Sequence, residues 1–247
     1  MKNLISFFAL GLSICATEPL FGQVPAALET VPPEMKSEAP ILPYRKTVAE
    51  RMCYTAYAEA NKYVVEPDVI FMGDSITDLW YGADRDFFKD NGFIGRGIGG
   101  QTTIGILSRF HQDVIDLNPK IVVILAGIND IAGNDGEMSL ENTIGNLAAM
   151  CDMAKAHGII PLLCSLTPCS RFFWAPEENP APEVKKANEM IKAYAEESGV
   201  QYVDYYSEMV DDKGGMRPGY SEDGCHPTAK GYQVMESVIM KYISKLI

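Results

Sequence analysis

Three stretches of the chain are apolar at nearly every position instead of at every second one: DVIFMG (68–73), KIVVILAG (120–127) and IIPLLCSL (159–166). Strands buried on both faces read this way, as in a parallel sheet covered on either side. VQYVDYY (200–206) and the shorter, weaker GFIGRGI (92–98) extend the series. Between them the apolar positions recur with helical spacing. TVAERMCYTAYAEANKY (47–63), TIGILSRFHQDVIDL (103–117), SLENTIGNLAAMCDMAKAHG (139–158), APEVKKANEMIKAYAEESG (181–199) and TAKGYQVMESVIMKYISKLI (228–247) are read as helices. Ser139 is suited to cap one of them and Gly158 to end it; Pro182 falls in the first turn of another and Gly199 at its end.

Strands alternating with helices predict an α/β fold, a parallel sheet with helices on both faces. In such sheets ligands bind beyond the carboxyl ends of the strands. The strand tips therefore carry the functional question. They hold Gly73-Asp74-Ser75, then Gly97 to Gly100, then Gly127-Ile128-Asn129-Asp130. After the last strand comes a loop, SEDGCHPTAKGY, with Asp223 and His226.

Gly95, Gly97 and Gly100 spell G-x-G-x-x-G, the spacing of a dinucleotide-binding loop. That fingerprint wants an acidic residue about twenty positions on, at the tip of the next strand, to hold a ribose. Twenty positions after Gly100 is Lys120, where the next strand only begins. The glycine loop also follows the second strand of the sheet, not the first. Dinucleotide binding is not supported.

Ser75 stands at the start of an expected helix, where Asp and Ser commonly cap. It also fits a nucleophile, provided a base lies within hydrogen-bond reach. The chain has three histidines. His157 precedes a helix-ending glycine and reads as a residue that serves terminal carbonyls. His111 falls within an amphipathic helix. His226, in a loop punctuated by Gly224 and Pro227, has Asp223 three positions earlier. A turn there lets the carboxylate hold one ring nitrogen and leaves the other for Ser75. Acyl transfer also passes through an oxyanion that needs donors aimed at it. The Ser75 amide, the Gly100 amide and the Asn129 side chain are suitable.

GDS (73–75), the glycine of GIGGQT at Gly100, GIND (127–130) and DGCHP (223–227) occur in this order along the chain. Together they resemble the signature of the GDSL-type or SGNH hydrolases, with Ile76 where the family name has Leu. The resemblance implies a flavodoxin-like, three-layer α/β/α fold with about five parallel strands and an esterase or acylhydrolase activity. It implies Ser75 as nucleophile, His226 as base and Asp223 as its orienting acid. The Ser75 amide, the Gly100 amide and Asn129 would form the oxyanion hole, and no metal or organic cofactor is implied.

Two other readings stand beside it. Asp74, Asp78, Asp130 and Asp223 are possible ligands of a metal-dependent phosphoesterase, although such sites usually want more histidines. A non-catalytic carbohydrate-binding module on the same fold is the other. Aromatic residues near the tips, Trp80 and Tyr81 after Ser75 and Phe172, Phe173 and Trp174 in RFFWAPEENP (171–180), offer surfaces for a sugar or an acyl chain. Trp80, Phe172 and Trp174 are taken as substrate contacts. Arg171 and Arg217 are considered for an anionic substrate, though surface arginine is the ordinary reading. The expected substrate is a small-molecule or carbohydrate ester with a short acyl or acetyl group; lysophospholipid or thioester cleavage is the alternative.

Composition narrows the partners. The net charge of −12 over 247 residues argues against nucleic acid and anionic membrane surfaces. LISFFALGLSICA (4–16) after Lys2 has the length and flank of a secretory signal and is too short to span a bilayer. Residues 1–22 are therefore read as a signal peptide, residues 23–45, rich in Pro, Ala and Glu, as an extended leader, and residues 46–247 as the hydrolase domain. A periplasmic or secreted location follows. A lipoprotein is a weaker alternative, because Ile14 stands before Cys15 where a small residue is wanted. Cys53, Cys151, Cys164, Cys169 and Cys225 remain, an odd number without zinc-site spacing, and are read as small buried hydrophobes.

Overall fold

The computed structural model describes residues 52–247. The expected signal peptide (1–22), the expected leader (23–45) and the first residues of the helix expected over 47–63 lie outside the described residues. Among the described residues of that stretch only α1 (Ala58–Asn61) is helical, in a run of turns.

The elements then follow in order: β1 (Val69–Gly73), α2 (Ser75–Ala83), α3 (Arg85–Asn91), β2 (Ile94–Gly97), α4 (Thr103–Asp113), β3 (Ile121–Leu125), α5 (Ile128–Ile131), α6 (Leu140–Ala156), β4 (Ile160–Cys164), α7 (Ala181–Ser198), β5 (Gln201–Val203), α8 (Tyr206–Met209) and α9 (Ala229–Ile243). The five strands are parallel, in the order β2-β1-β3-β4-β5. This is the flavodoxin-like doubly wound order, and its reversal point lies between β1 and β3. The loops that diverge there are the ones that carry Ser75 and Asn129.

The apolar runs become strands because both faces are covered. Every residue of β1 and β3 is buried. On one face α4 packs on α6 and α6 on α7; on the other α2 meets α3 and α9. An aromatic cluster fills the second face. Phe71 packs edge-on against Trp80 and Phe88 at 5.4 and 5.3 Å, and Trp80 stacks on Tyr232 at 5.3 Å and on Phe87 at 5.6 Å. The one polar atom of Trp80 is satisfied: its Nε1 donates to Glu236 Oε1 at 3.0 Å. This corrects the expectation that Trp80 meets substrate, since its ring is 1 % exposed and joins α2 to α9.

Helix ends follow local chemistry. Ser139 caps α6, its side chain accepting from the Asn142 amide at 3.2 Å. Asp74 caps α2, its Oδ1 accepting from the Ile76 amide at 3.0 Å. Ser75 is thus the first residue inside the helix, and its hydroxyl is not spent as a cap.

Candidate active site

Two glycines in the loop after β2 set the shape of the site. A Cβ on Gly97 would lie 2.1 Å from the Asp78 amide nitrogen, so only glycine lets β2 pass this close to α2. Gly100 has φ +77°, the left-handed region that favours glycine. The G-x-G-x-x-G spacing therefore records a close packing contact and a turn.

Beyond the strand tips, Ser75 Oγ lies 2.9 Å from His226 Nε2, and His226 Nδ1 lies 2.7 Å from Asp223 Oδ2. These residues are 151 and 3 positions apart in the chain. The Asp223 carboxylate is held by its own turn: Oδ1 accepts from the amides of Cys225 and His226, both at 2.8 Å, and from Ser221 Oγ at 3.2 Å. Burial pushes this carboxyl up, but the His226 amide and ring and the Cys225 amide outweigh it and hold Asp223 below the usual carboxylate range. An ionised Asp223 fixes the ring with its proton on Nδ1, leaving Nε2 free to accept one from Ser75.

Ser75, Gly100, Asn129, Asn134, Phe173, Trp174 and His226 surround a cavity of about 340 Å³. Among the described residues the amides of Ser75 and Gly100 donate to no protein group. Asn129 Nδ2 gives one proton to Gln101 O at 3.0 Å, which leaves its second for the cavity. Its Oδ1 accepts from Asn134 Nδ2 at 2.9 Å, and the same nitrogen reaches Gly100 O at 3.0 Å. Asn134 thereby fixes which way the Asn129 amide faces. Its place five residues after Asn129, in a Gly-Asn-Asp-Gly turn, was the only signal in the sequence.

The aromatic contacts are redistributed. Phe172 is 1 % exposed and lies beneath Trp174, stacked at 4.8 Å, so its assignment as a substrate contact is corrected: its ring supports the cavity without lining it. Phe173, 60 % exposed, lines the cavity with Trp174, and its ring centroid is 6.3 Å from that of His226. Arg171 donates to Asp223 O at 3.3 and 3.4 Å, and Arg217 to Val210 O at 3.1 Å; neither lines the cavity. His157 Nδ1 pairs with Met153 O at 2.8 Å and His111 with Asp116 at 3.1 Å, both on the surface. Of the four aspartates considered as metal ligands, Asp130 is occupied with Thr103 and Thr143, Asp74 with its helix cap and Asp223 with His226. Among the described residues no three His, Cys, Asp or Glu side chains converge as a metal site.

Behind the cavity lies a buried support absent from the sequence reading. Arg109, fully buried, donates from Nη2 to Gly73 O at 3.0 Å and Arg96 O at 2.9 Å. Its Nε reaches Gln101 Oε1 at 2.7 Å and its Nη1 pairs with Asp113 at 3.0 Å. One guanidinium thus joins the ends of β1 and β2 to the residue after Gly100. The signal was an arginine three residues after Ile106 on the buried face of α4.

Asp74 has its own consequence. Burial raises its carboxyl to about 7, against the opposing pull of the Ile76 amide and His226. The folded protein therefore keeps the proton where the unfolded chain has lost it, and stability falls as pH rises from about 4 to about 7. Asp74→Asn retains a capping oxygen and removes that loss. Urea unfolding is expected to show variant and wild type alike near pH 4 and the variant more stable at pH 8 by an amount on the order of a few kcal/mol. Equal stabilities at both pH values would contradict this.

The sequence profile of the GDSL-like Lipase/Acylhydrolase family matches residues 71–234. A GDSL-like lipase from Bacteroides thetaiotaomicron has a crystal structure that superposes with a TM-score of 0.76, at 42 % identity over 79 % of this chain and 99 % of that one. Platelet-activating factor acetylhydrolase IB subunit alpha2 of Homo sapiens is 25 % identical over 200 residues, 77 % of this chain and 84 % of the relative. The uncharacterized lipoprotein YqeF of Bacillus subtilis is 26 % identical over 221 residues, 73 % of this chain and 90 % of the relative.

Proposed function

The chain belongs to the GDSL-like Lipase/Acylhydrolase family, and from that premise we propose that it is a serine-dependent ester hydrolase that removes short acyl groups, acetyl above all. The carrying observation is the relay of 2.9 and 2.7 Å from Ser75 through His226 to Asp223, opening on a cavity edged by unpaired amides. Ser75 Oγ attacks the acyl carbon as His226 Nε2 takes its proton. The Ser75 and Gly100 amides and Asn129 Nδ2 receive the oxyanion. The alcohol leaves with the proton from His226, and water, deprotonated by the same ring, then releases the acid and frees Ser75.

Size and lining favour a small acyl group. A cavity of about 340 Å³ stands at the low end for ligand sites. The exposed faces of Phe173 and Trp174 suit stacking against a sugar ring, so an acetylated carbohydrate is the proposed substrate. An acetylated phospholipid is the second reading, favoured by the likeness to the acetylhydrolase subunit. Among the described residues no helix is long and apolar enough to cross a membrane. The signal-like leader and the lipoprotein relative support residence in the cell envelope or outside it.

A series of p-nitrophenyl esters from acetyl to dodecanoyl is the test, followed by acetate release from acetylated oligosaccharides and from an acetylated phospholipid. Activity is expected to peak at acetyl or propionyl, with acetate released from the oligosaccharides. A maximum at long chains would overturn the assignment. In the same assay Asn134→Ala is expected to lower kcat about 10- to 100-fold with little change in KM, because a misdirected Asn129 fails the oxyanion and not the ground state.

A further inference from the structure

A second cavity, of about 510 Å³, lies along the edge strand β2, against α2 and α3. It adjoins the catalytic one. Asp78 lines it one helical turn after Ser75, on the same side of α2. A Cβ on Gly99 would lie 3.8 Å from Ser75 Cβ and 3.9 Å from Asp78 Oδ2. Position 99 thus sits between those two side chains, and an exposed glycine there raises nothing between the two cavities.

The walls combine ring faces with charges. The Tyr57 hydroxyl donates to Gly97 O, and the Arg96 guanidinium lies over the Tyr57 ring, 4.7 Å from its centroid. Tyr81, 43 % exposed, accepts from Arg85 Nε at 3.1 Å, and its ring centroid is 5.7 Å from that of Phe88. Both rings are therefore set before any ligand arrives. Asp78 and Lys89 line the same space. Among the described residues neither side chain makes an ion pair.

We propose that this cavity is a sugar-binding subsite, which holds the unit next to the one whose acetyl group lies at Ser75. The inference rests on the acetylated-carbohydrate reading and deepens it: the substrate is an acetylated oligosaccharide, not a single sugar. A pyranose presents apolar C–H faces and a rim of hydroxyls. Tyr57 and Tyr81 suit the faces, while the Asp78 carboxylate accepts from hydroxyls and the Lys89 ammonium donates to them. An alkyl chain would strip water from both charges and return no hydrogen bond, so the lining disfavours a lipid tail. A sugar held there fixes the acetyl group over Ser75 Oγ, so that remote contacts act on the reacting centre.

The experiment has two arms on the full chain. Calorimetry with unacetylated xylotriose reads the subsite without ester chemistry. Hydrolysis of partially acetylated xylose, xylobiose and xylotriose reads its effect on turnover. Xylotriose is expected to bind, and kcat/KM to rise about 10-fold from xylose to xylotriose. That gain should vanish in Tyr81→Ala and persist in Tyr81→Phe. Lys89→Ala, which removes an exposed side chain and keeps the test open should Tyr81→Ala fail to fold, should cut the gain about 3-fold. Xylotriose binding without ester turnover would count for the subsite and against the ester-hydrolase reading. Three results would overturn the proposal: no xylotriose binding, equal kcat/KM for xylose and xylotriose in a protein that hydrolyses p-nitrophenyl acetate, or a gain that instead tracks alkyl length in acetyl esters of straight-chain alcohols.

Discussion

Ser75→Ala is expected to lower kcat for an acetyl ester by about 10⁴–10⁶ and to leave the melting transition near that of the wild type. The two halves of this expectation have separate causes. Removing Oγ removes the bond-forming atom and the proton that His226 Nε2 would take from it. The rate that survives is what the Gly100 and Asn129 donors give a water attacking in place of the serine. Stability is spared because α2 is capped by Asp74, and the Ser75 hydroxyl has its hydrogen bond with His226. A serine-reactive phosphonate should label the wild type and not the variant. Near-normal turnover in Ser75→Ala, with the protein folded, would defeat the mechanism.

Arg109→Met is expected to destabilise the fold by about 3–5 kcal/mol, measured by urea unfolding at neutral pH. Truncation leaves Asp113, 1 % exposed, without its ion partner. It also removes donors from Gly73 O and Arg96 O, at the ends of β1 and β2. Arg109→Lys should recover only part of the loss, because one ammonium cannot copy a planar fork that reaches four oxygen acceptors. The lysine variant should also lose kcat beyond its loss of folded fraction, since Gly73 leads into Ser75 and Gln101 follows Gly100. Stability unchanged in both variants would mean that the guanidinium is not what fixes the strand ends.

These two positions mark the limits of what the sequence discloses. Ser75 was legible because an apolar run ending in Gly-Asp-Ser places it at a strand tip, where α/β sheets keep their sites. Arg109 was not, because a single charged side chain in a helix ordinarily faces water; its burial depends on carbonyls and a carboxylate that fold in around it. The strands were legible for the same reason as Ser75, through burial on both faces. Helix α3 was not read, since Asp84 ends one helix and caps the next without a break in composition. Tryptophan near Ser75 suggested a binding surface, yet Trp80 points into the core because α2 turns that side toward Phe71 and Tyr232. Phe172 and Phe173 are neighbours with opposite fates, decided by a loop whose path no periodicity records.

The Asp223 carboxylate takes its hydrogen bonds from residues 221 to 226, whereas Ser75, Gly100 and Asn129 project from the sheet. Asp223 and His226 therefore travel together on one turn, which meets the sheet-borne residues through the Ser75–His226 hydrogen bond. Loops of this kind open at lower free energy than buried strands. On warming, turnover should vanish while the amides of β1 and β3 still resist hydrogen exchange, so that heat disarms the enzyme before it melts it.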